Sequence, residues 1–348
     1  VETLELEIGY RLVPLIEAES GGDLLDRIAQ IRRQIALELG FVLPSIRVRD
    51  NLQLPPNQYN VKLRGVTIET GEVMADLWLA MSTDPDITEL IEGIETREPA
   101  FGLPALWIEP EDREAAEVAG YTVVSASAVV STHLTEIIKK HAADILSRSD
   151  VQNLLNNVKK TNESLVSDLI PDTLTEAEVQ IILQNLLREK VSIRDMVTIL
   201  EALGYHCRVS KDPDYLTEQV RMALSRSICK QHQNPETGEL PAITMDPAVE
   251  EHLAQGLSQD GQALAIGPMF TQKLFQTLSQ EIERAMSTQG VQPVILCNAR
   301  LRAPFRRLIE RMFPQIAVLS YNEIGPSVKV TAVGVVRIDL HQLSLEAS

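Results

Sequence analysis

The sequence predicts an α/β (α+β) chain of several domains, because two regions that alternate strands and helices flank a mainly helical stretch. Its 348 residues are too many for one ordinary core and suit roughly two to four domains. The helical pattern is nearly unbroken between Ser149 and His232. We therefore expect four subdomains: an α/β domain (1–75 and 126–148), a small α/β insert (76–125), a helical domain (149–232) and a terminal α/β domain (233–340), followed by a tail (341–348).

The first domain begins with a strand and a helix. Leu4 starts an alternation of apolar residues with glutamates, which predicts a strand through about Ile16. Asp23 is a suitable N-cap for the helix that follows, and Gly40 is a typical helix end. Between them, apolar residues recur with helical spacing at Leu24, Leu25, Ile28, Ile31, Ile35 and Leu39.

The next stretch predicts a strand, a turn and a second strand. Alternation begins at Ile46 and stops at Asp50-Asn51, whose short polar side chains favour turns. Apolar residues then occupy odd positions from Tyr59 and even positions from Val66. Because this phase changes at Gly65, we predict a β-bulge or a sharp bend there.

The insert differs from the first domain in its residue pattern. A short apolar run, Trp78–Met81, precedes an acidic segment without periodicity, and then a short helix at 111–119 and a strand at 121–124 are predicted. The helix predicted at 128–146 returns to the first domain. After a turn-rich linker at 233–240, the terminal domain is predicted to have strands at 243–245, 294–297, 316–319 and 328–336 and helices at 269–286 and 300–313.

Composition excludes several classes of function. A net charge of −17 disfavours nucleic acid as a partner. The three cysteines form no CxxC pair and suggest reduced, buried thiols. No phosphate-loop, dinucleotide, zincin or serine-hydrolase motif occurs, and His133 and His141 are too far apart on one helix to share a metal. We therefore expect no catalytic residues, metal or cofactor.

Five arginines make the region around residue 305 the basic helix of the chain. The simplest interpretation is a solvated helix face, and the alternative is a contact with another subunit or an acidic partner. Aromatic residues that would stack on bases do not interleave with these arginines beyond Phe305. The five residues are Arg300, Arg302, Arg306, Arg307 and Arg311.

Phe101 is the candidate binding residue. It could simply be a core residue, which is the commoner fate of phenylalanine. It lies, however, between Pro99 and Gly102 in a segment without helical or strand periodicity, after an acidic loop. Those features suit an exposed apolar pocket with a charged rim, to which Glu98 would contribute.

Several motifs, in the right order, resemble one family. Arg49-Asp50-Asn51-x-x-Leu54-x-Pro56-x-x-Tyr59-x-Val61-x-Leu63-x-Gly65 is similar to the cytoplasmic domain of the flagellar export-gate family, the FlhA proteins and their virulence-secretion relatives. So are the segments at 9–15, 99–103, 127–134, 183–189, 191–196, 314–323 and 333–336. Glu98 departs from the family, which usually has Asp there, and the segment 205–210 also departs from the family's usual sequence.

The resemblance implies docking rather than catalysis. It implies a nonameric ring below the membrane export gate, on the cytoplasmic face of the bacterial inner membrane, and an N-terminal membrane domain preceding this chain. The implied partners are flagellar export chaperones with their cargo, and other components of the gate and of the export ATPase. The implied chaperone pocket would be lined by Glu98, Phe101, Thr132, Met81 and Thr83.

Two alternatives stay open at this stage. An α/β enzyme acting on a neutral or cationic small molecule would need a convergent polar cluster, and none is evident in the sequence. The other alternative is a general adaptor without a role in secretion.

Overall fold

The computed structural model describes residues 1–82, 84 and 91–346. The chain forms two compact units, residues 1–200 and 201–348, and the mixture of helices with sheets confirms the predicted fold class. The finer division into four subdomains stays a prediction. The described elements of the first unit are β1 (Leu4–Ile8), α1 (Leu24–Leu39), β2 (Ile46–Asp50), β3 (Gln58–Leu63), β4 (Val66–Glu72), β5 (Trp78–Met81), β6 (Ile94–Arg97), β7 (Pro104–Ile108), α2 (Arg113–Val118), β8 (Thr122–Ser125), α3 (Ala126–Lys140), α4 (Ala142–Ile145), α5 (Arg148–Lys159), α6 (Glu163–Leu169), α7 (Glu176–Arg188) and α8 (Met196–His206), within which the division falls.

The first sheet has the strand order β2-β1-β3-β4. β1 runs parallel to β2, because α1 provides the crossover between them, and antiparallel to β3. The predicted first strand is too long: β1 ends at Ile8, and a 3-10 helix follows at Tyr10–Leu15. Two backbone hydrogen bonds hold this helix against the start of β3 and the residues before it. The Gly9 amide donates to the Gln58 carbonyl, and the Arg11 amide donates to the Pro56 carbonyl.

The phase change at Gly65 marks a chain reversal. Leu63 pairs directly with Val66, and the two residues between them, Arg64 and Gly65, have φ values of 48° and 83°. A two-residue turn with two positive φ values is the tight hairpin connection typical of antiparallel strands. The predicted sharp bend is therefore present as a turn, whereas the register shift of the hairpin lies between Val61 and Lys62.

The second sheet is antiparallel, with the order β6-β7-β5-β8. β5 and β8 correspond to the predicted apolar run and strand, whereas β6 and β7, which fall in the segment interpreted as non-periodic, were not predicted. β6 is largely exposed, so its pattern shows no buried face. Ala116 of α2 packs with Ala80 and Ile108 on one side of the sheet.

The helical part of the first unit begins earlier than predicted. Ser125 caps α3 through its side chain, which accepts from the Ala128 amide, and the predicted single helix is divided at His141 into α3 and α4. Reciprocal side-chain caps start α5 at Ser147 and α7 at Thr175.

The second unit is built on a parallel sheet with the order β11-β10-β9-β12. Its central strand β9 is buried along almost its whole length, as expected when helices cover both faces. The described elements are α9 (Pro213–Ala223), α10 (Ser225–His232), β9 (Leu240–Met245), α11 (Pro247–Gln255), α12 (Pro268–Gln289), β10 (Val294–Cys297), α13 (Ala299–Ile309), β11 (Val318–Ser320), β12 (Val330–Val336) and α14 (Leu340–Glu346).

Two ends differ from the sequence-based expectation. α13 stops at Ile309, four residues before the predicted end at Phe313. The segment interpreted as a tail forms α14 through Glu346, and its Leu340 and Leu343 pack against the core of the second unit.

Candidate docking site

The loop between β6 and β7, residues 98–103 and here called the Phe101 loop, is a closed turn. The Glu98 amide donates to the Leu103 carbonyl, and the Gly102 amide donates to the Glu98 carbonyl, each at 2.8 Å. Gly102 has a φ of 69°, a left-handed conformation that glycine adopts without strain. The ends of the loop are held by the pairing of Arg97 with Pro104.

Glu98 belongs to the inside of this loop. Its residue is only 4% exposed, and its Oε1 and Oε2 accept from the amides of Ala100 at 2.6 Å and Phe101 at 2.7 Å. The expectation that Glu98 forms a charged rim is therefore wrong. The carboxylate is used to satisfy the backbone of the loop, because two adjacent amides converge on it.

Phe101 is exposed. Its residue is 47% accessible, so the phenylalanine of this turn is presented to solvent and does not join the core. The turn can hold an aromatic side chain in solvent because Gly102 permits its left-handed backbone and Glu98 accepts two of its amides.

A buried pair lies close enough to the Phe101 loop for the charge of Glu98 to affect it. The Tyr59 hydroxyl and His133 Nδ1 are 2.6 Å apart. Burial raises the pKa of Tyr59, and the charges of Glu98 and Glu69 raise it further. Burial lowers the pKa of His133, and the same two carboxylates act in the opposite direction. The charge of Glu98 therefore acts on both members of this buried pair.

The other expected pocket residues lie on neighbouring elements. Thr132 is exposed on α3, immediately before His133. Met81 is half-buried at the end of β5, where it pairs with Ala105 of β7. Thr83 lies outside the described residues. The structure thus joins Glu98 and Phe101 directly, and it places Met81 on β5, which pairs with β7 next to the loop. The inclusion of Thr132 in one pocket with them stays a prediction.

An open cavity of about 630 Å³ lies beside the Phe101 loop. Arg97 and Pro104, which flank the loop, both line it, and its apolar surface includes Ala105 and Leu106. This cavity is not predictable without β6 and β7, which supply most of its lining. The lining mixes charged side chains, Glu95 and Arg97 among them, with apolar ones, which makes the cavity suitable for a protein segment of mixed polarity.

The basic helix does not present a continuous face. Arg302 is fully buried and Arg306 is 8% exposed. Arg302 Nε and Nη2 donate to Glu218 at 2.8 and 2.6 Å, and Arg306 Nη2 donates to the Pro314 carbonyl at 3.2 Å. These two residues share the inward face of α13 with Phe305, so the expectation that they contact solvent or a partner is wrong.

The three remaining arginines are exposed. Arg307 donates to the Gln262 carbonyl and pairs with Asp214, both at 3.0 Å. Arg300 lines a small cavity of about 240 Å³, and Arg311 follows the end of α13. A partner contact by these three stays a prediction.

Within residues 1–82, 84 and 91–346, no cluster of His, Cys, Asp and Glu has the arrangement of a metal site. The three cysteines are free and buried, and burial raises the pKa values of Cys229 and Cys297, which disfavours their reactive thiolates. In the same described part, no helix has both the length and the apolar character needed to cross a bilayer.

Solved structures define the class of this fold. A chain in the structure of the Chlamydia pneumoniae CdsV and CdsO protein complex matches with a TM-score of 0.83 and 25% identity. The match covers 97% of this chain and 97% of the matched chain. The nonameric EscV cytosolic domain from the type III secretion system matches with a TM-score of 0.75 and 23% identity, again over 97% of both chains. The chain therefore has the fold of a type III secretion cytosolic domain.

The family follows from the sequence comparison. A model of the FHIPEP family matches residues 1–329, and the flagellar biosynthesis protein FlhA of Bacillus subtilis is 42% identical over 340 residues, covering 97% of this chain and 50% of that protein. The chain belongs to the FHIPEP family and spans about half the length of this relative. These relationships confirm both the predicted resemblance and the prediction that the chain is not an enzyme.

Proposed function

We propose that this chain is the docking platform of a flagellar type III protein export gate, on the cytoplasmic face of the inner membrane. It receives export chaperones with their cargo at the Phe101 loop and orders their delivery. The observation that carries the proposal is an exposed aromatic residue, Phe101, on a closed turn beside an open cavity. Exposed aromatic anchors beside pockets commonly dominate protein interfaces.

The relatives support the wider setting of the proposal. One is named for flagellar biosynthesis, one was solved in a complex with a second protein, CdsO, and one is a nonamer. We infer that this chain likewise forms a ring when the membrane part of its protein tethers it, with components of the export ATPase among its partners.

The variant Phe101→Ala tests the docking role. We expect it to weaken the affinity for a flagellar chaperone–cargo complex by about 30-fold, or ~2 kcal/mol, because an aromatic anchor is removed. The thermal midpoint should change by no more than about 2 °C, because the side chain is exposed. Calorimetric titration and thermal unfolding measure the two quantities on the same preparation.

Tyr205→Ala is the control, because Tyr205 is also an exposed aromatic residue, at 70%. Its affinity for the chaperone–cargo complex should equal that of the unmodified chain. Unchanged affinity of the folded Phe101→Ala variant would overturn the proposed function.

A further inference from the structure

The Phe101 loop is held by two side chains that the pocket description does not explain. Glu98 accepts from the amides of Ala100 and Phe101 at 2.6 and 2.7 Å. Arg97 Nη1 donates to the Gly102 carbonyl at 2.8 Å, on the other side of the turn. Hydrogen bonds in which one partner carries a charge are shorter and stronger than neutral ones. Together they fix the backbone on both sides of Phe101.

Because Glu98 is buried, it can hold the loop in place but cannot readily contact a partner. Glu98 is 4% exposed, and each of its oxygens already has a backbone donor. A partner that meets Phe101 therefore has little access to this carboxylate. Without it, the amides of Ala100 and Phe101 would lose their acceptors, and the turn could adopt other conformations.

We propose that Arg97 and Glu98 are positioning residues, which hold the Phe101 loop in the conformation that presents Phe101 to the docking partner. Glu98 acts through Phe101 and not through a contact of its own. A preformed loop binds more tightly because fewer conformations are lost on association. This inference rests on the proposed docking function.

The first measurement is amide hydrogen exchange of Ala100 and Phe101 in the free chain. We expect Glu98→Gln to accelerate it by about tenfold or more, because a side-chain amide offers one acceptor where the carboxylate offers two. Glu98→Asp keeps both acceptors and should restore most of the protection. Glu114→Gln, which removes an exposed charge from α2, is the control and should leave both amides unchanged.

The second measurement is a double-mutant cycle on affinity for a flagellar chaperone–cargo complex. We expect Glu98→Ala to weaken binding by about tenfold and Arg97→Ala by about threefold, with Arg33→Ala of α1 as the exposed control. If Glu98 acts through Phe101, the double variant Glu98→Ala/Phe101→Ala should bind as weakly as Phe101→Ala and no more weakly. The loss for Glu98→Ala should persist between about 50 mM and about 500 mM salt, since that buried carboxylate does not meet the partner.

The outcomes distinguish failure of the positioning role from failure of the proposed docking function. Losses that add in the double variant, or amide exchange that is unchanged in Glu98→Gln, overturn the positioning role while leaving Phe101 as the anchor. Affinity that is unchanged in Phe101→Ala overturns the docking function itself. Arg97 is exposed, so Arg97→Ala provides a folded test even if Glu98→Ala lowers the thermal midpoint.

Discussion

Arg302 is a fully buried cation whose partners explain why it is tolerated. Its fork meets both carboxylate oxygens of Glu218, and its Nη1 donates to the Val318 carbonyl at 3.1 Å. Glu323 is also buried, and its Oε2 forms an ion pair with Arg221 Nη2 at 2.8 Å. The cluster therefore connects α9 to the edge of the parallel sheet within the second unit. Buried ion pairs need such complete partnering, because the loss of one member leaves a charge without compensation.

We expect Arg302→Met to lower the free energy of unfolding by about 3 kcal/mol or more, because Glu218 loses its two-pronged partner and the Val318 carbonyl keeps only the longer bond from Arg221, at 3.4 Å. Arg311→Met is the matched control, since Arg311 is exposed on the same segment, and it should change stability by less than about 0.5 kcal/mol. Chemical denaturation of both variants measures the difference. Equal unfolding midpoints would show that the cluster contributes no stability.

The β3–β4 hairpin shows two different uses of glycine in one element. Gly65 occupies the turn with a φ of 83°, and a Cβ there would meet only Val1 at 3.6 Å. Gly71 lies opposite Tyr59 in the ladder, and a Cβ there would come within 2.2 Å of the Tyr59 hydroxyl. The first glycine is required by backbone conformation and the second by space.

We expect Gly65→Ala to destabilise the chain by about 1 kcal/mol, because alanine must adopt a left-handed conformation. Gly71→Ala should destabilise it by about 2 kcal/mol or more, since its methyl group overlaps the hydroxyl that contacts His133. Denaturant unfolding of the two variants ranks them. A larger effect at Gly65 would contradict this assignment of the two roles.

The sequence predicts an element well when neighbouring residues determine it, and poorly when residues far away along the chain determine it. The hairpin is predictable because the apolar phase changes at one glycine. β6 is not, because an exposed edge strand such as Ile94–Arg97 carries no buried face to detect. The burial of Arg302 is not predictable from the sequence either, because its partners, Glu218 and the Val318 carbonyl, lie 84 and 16 residues away along the chain.

The candidate site was predictable in part for the same reason. The exposure of Phe101 was proposed from its aperiodic segment, and the structure agrees that the residue is exposed. The role of Glu98 was misjudged, because the sequence shows an acidic residue without showing that two amides of its own loop turn toward it. The adjacent cavity depends on strand pairing, which composition does not reveal.

At the scale of the whole molecule, charge governs self-association. A net charge of −17 makes copies of the chain repel each other, and the burial of Arg302 and Arg306 leaves fewer exposed cations to offset that repulsion. We therefore expect the isolated chain to be mainly monomeric in sedimentation at about 10 μM, with any self-association weaker than about 100 μM. Fusion to a nonameric scaffold should produce a ring, because tethering raises the effective concentration to about the millimolar range. A tight ring of the untethered chain, insensitive to salt at micromolar concentration, would contradict this prediction.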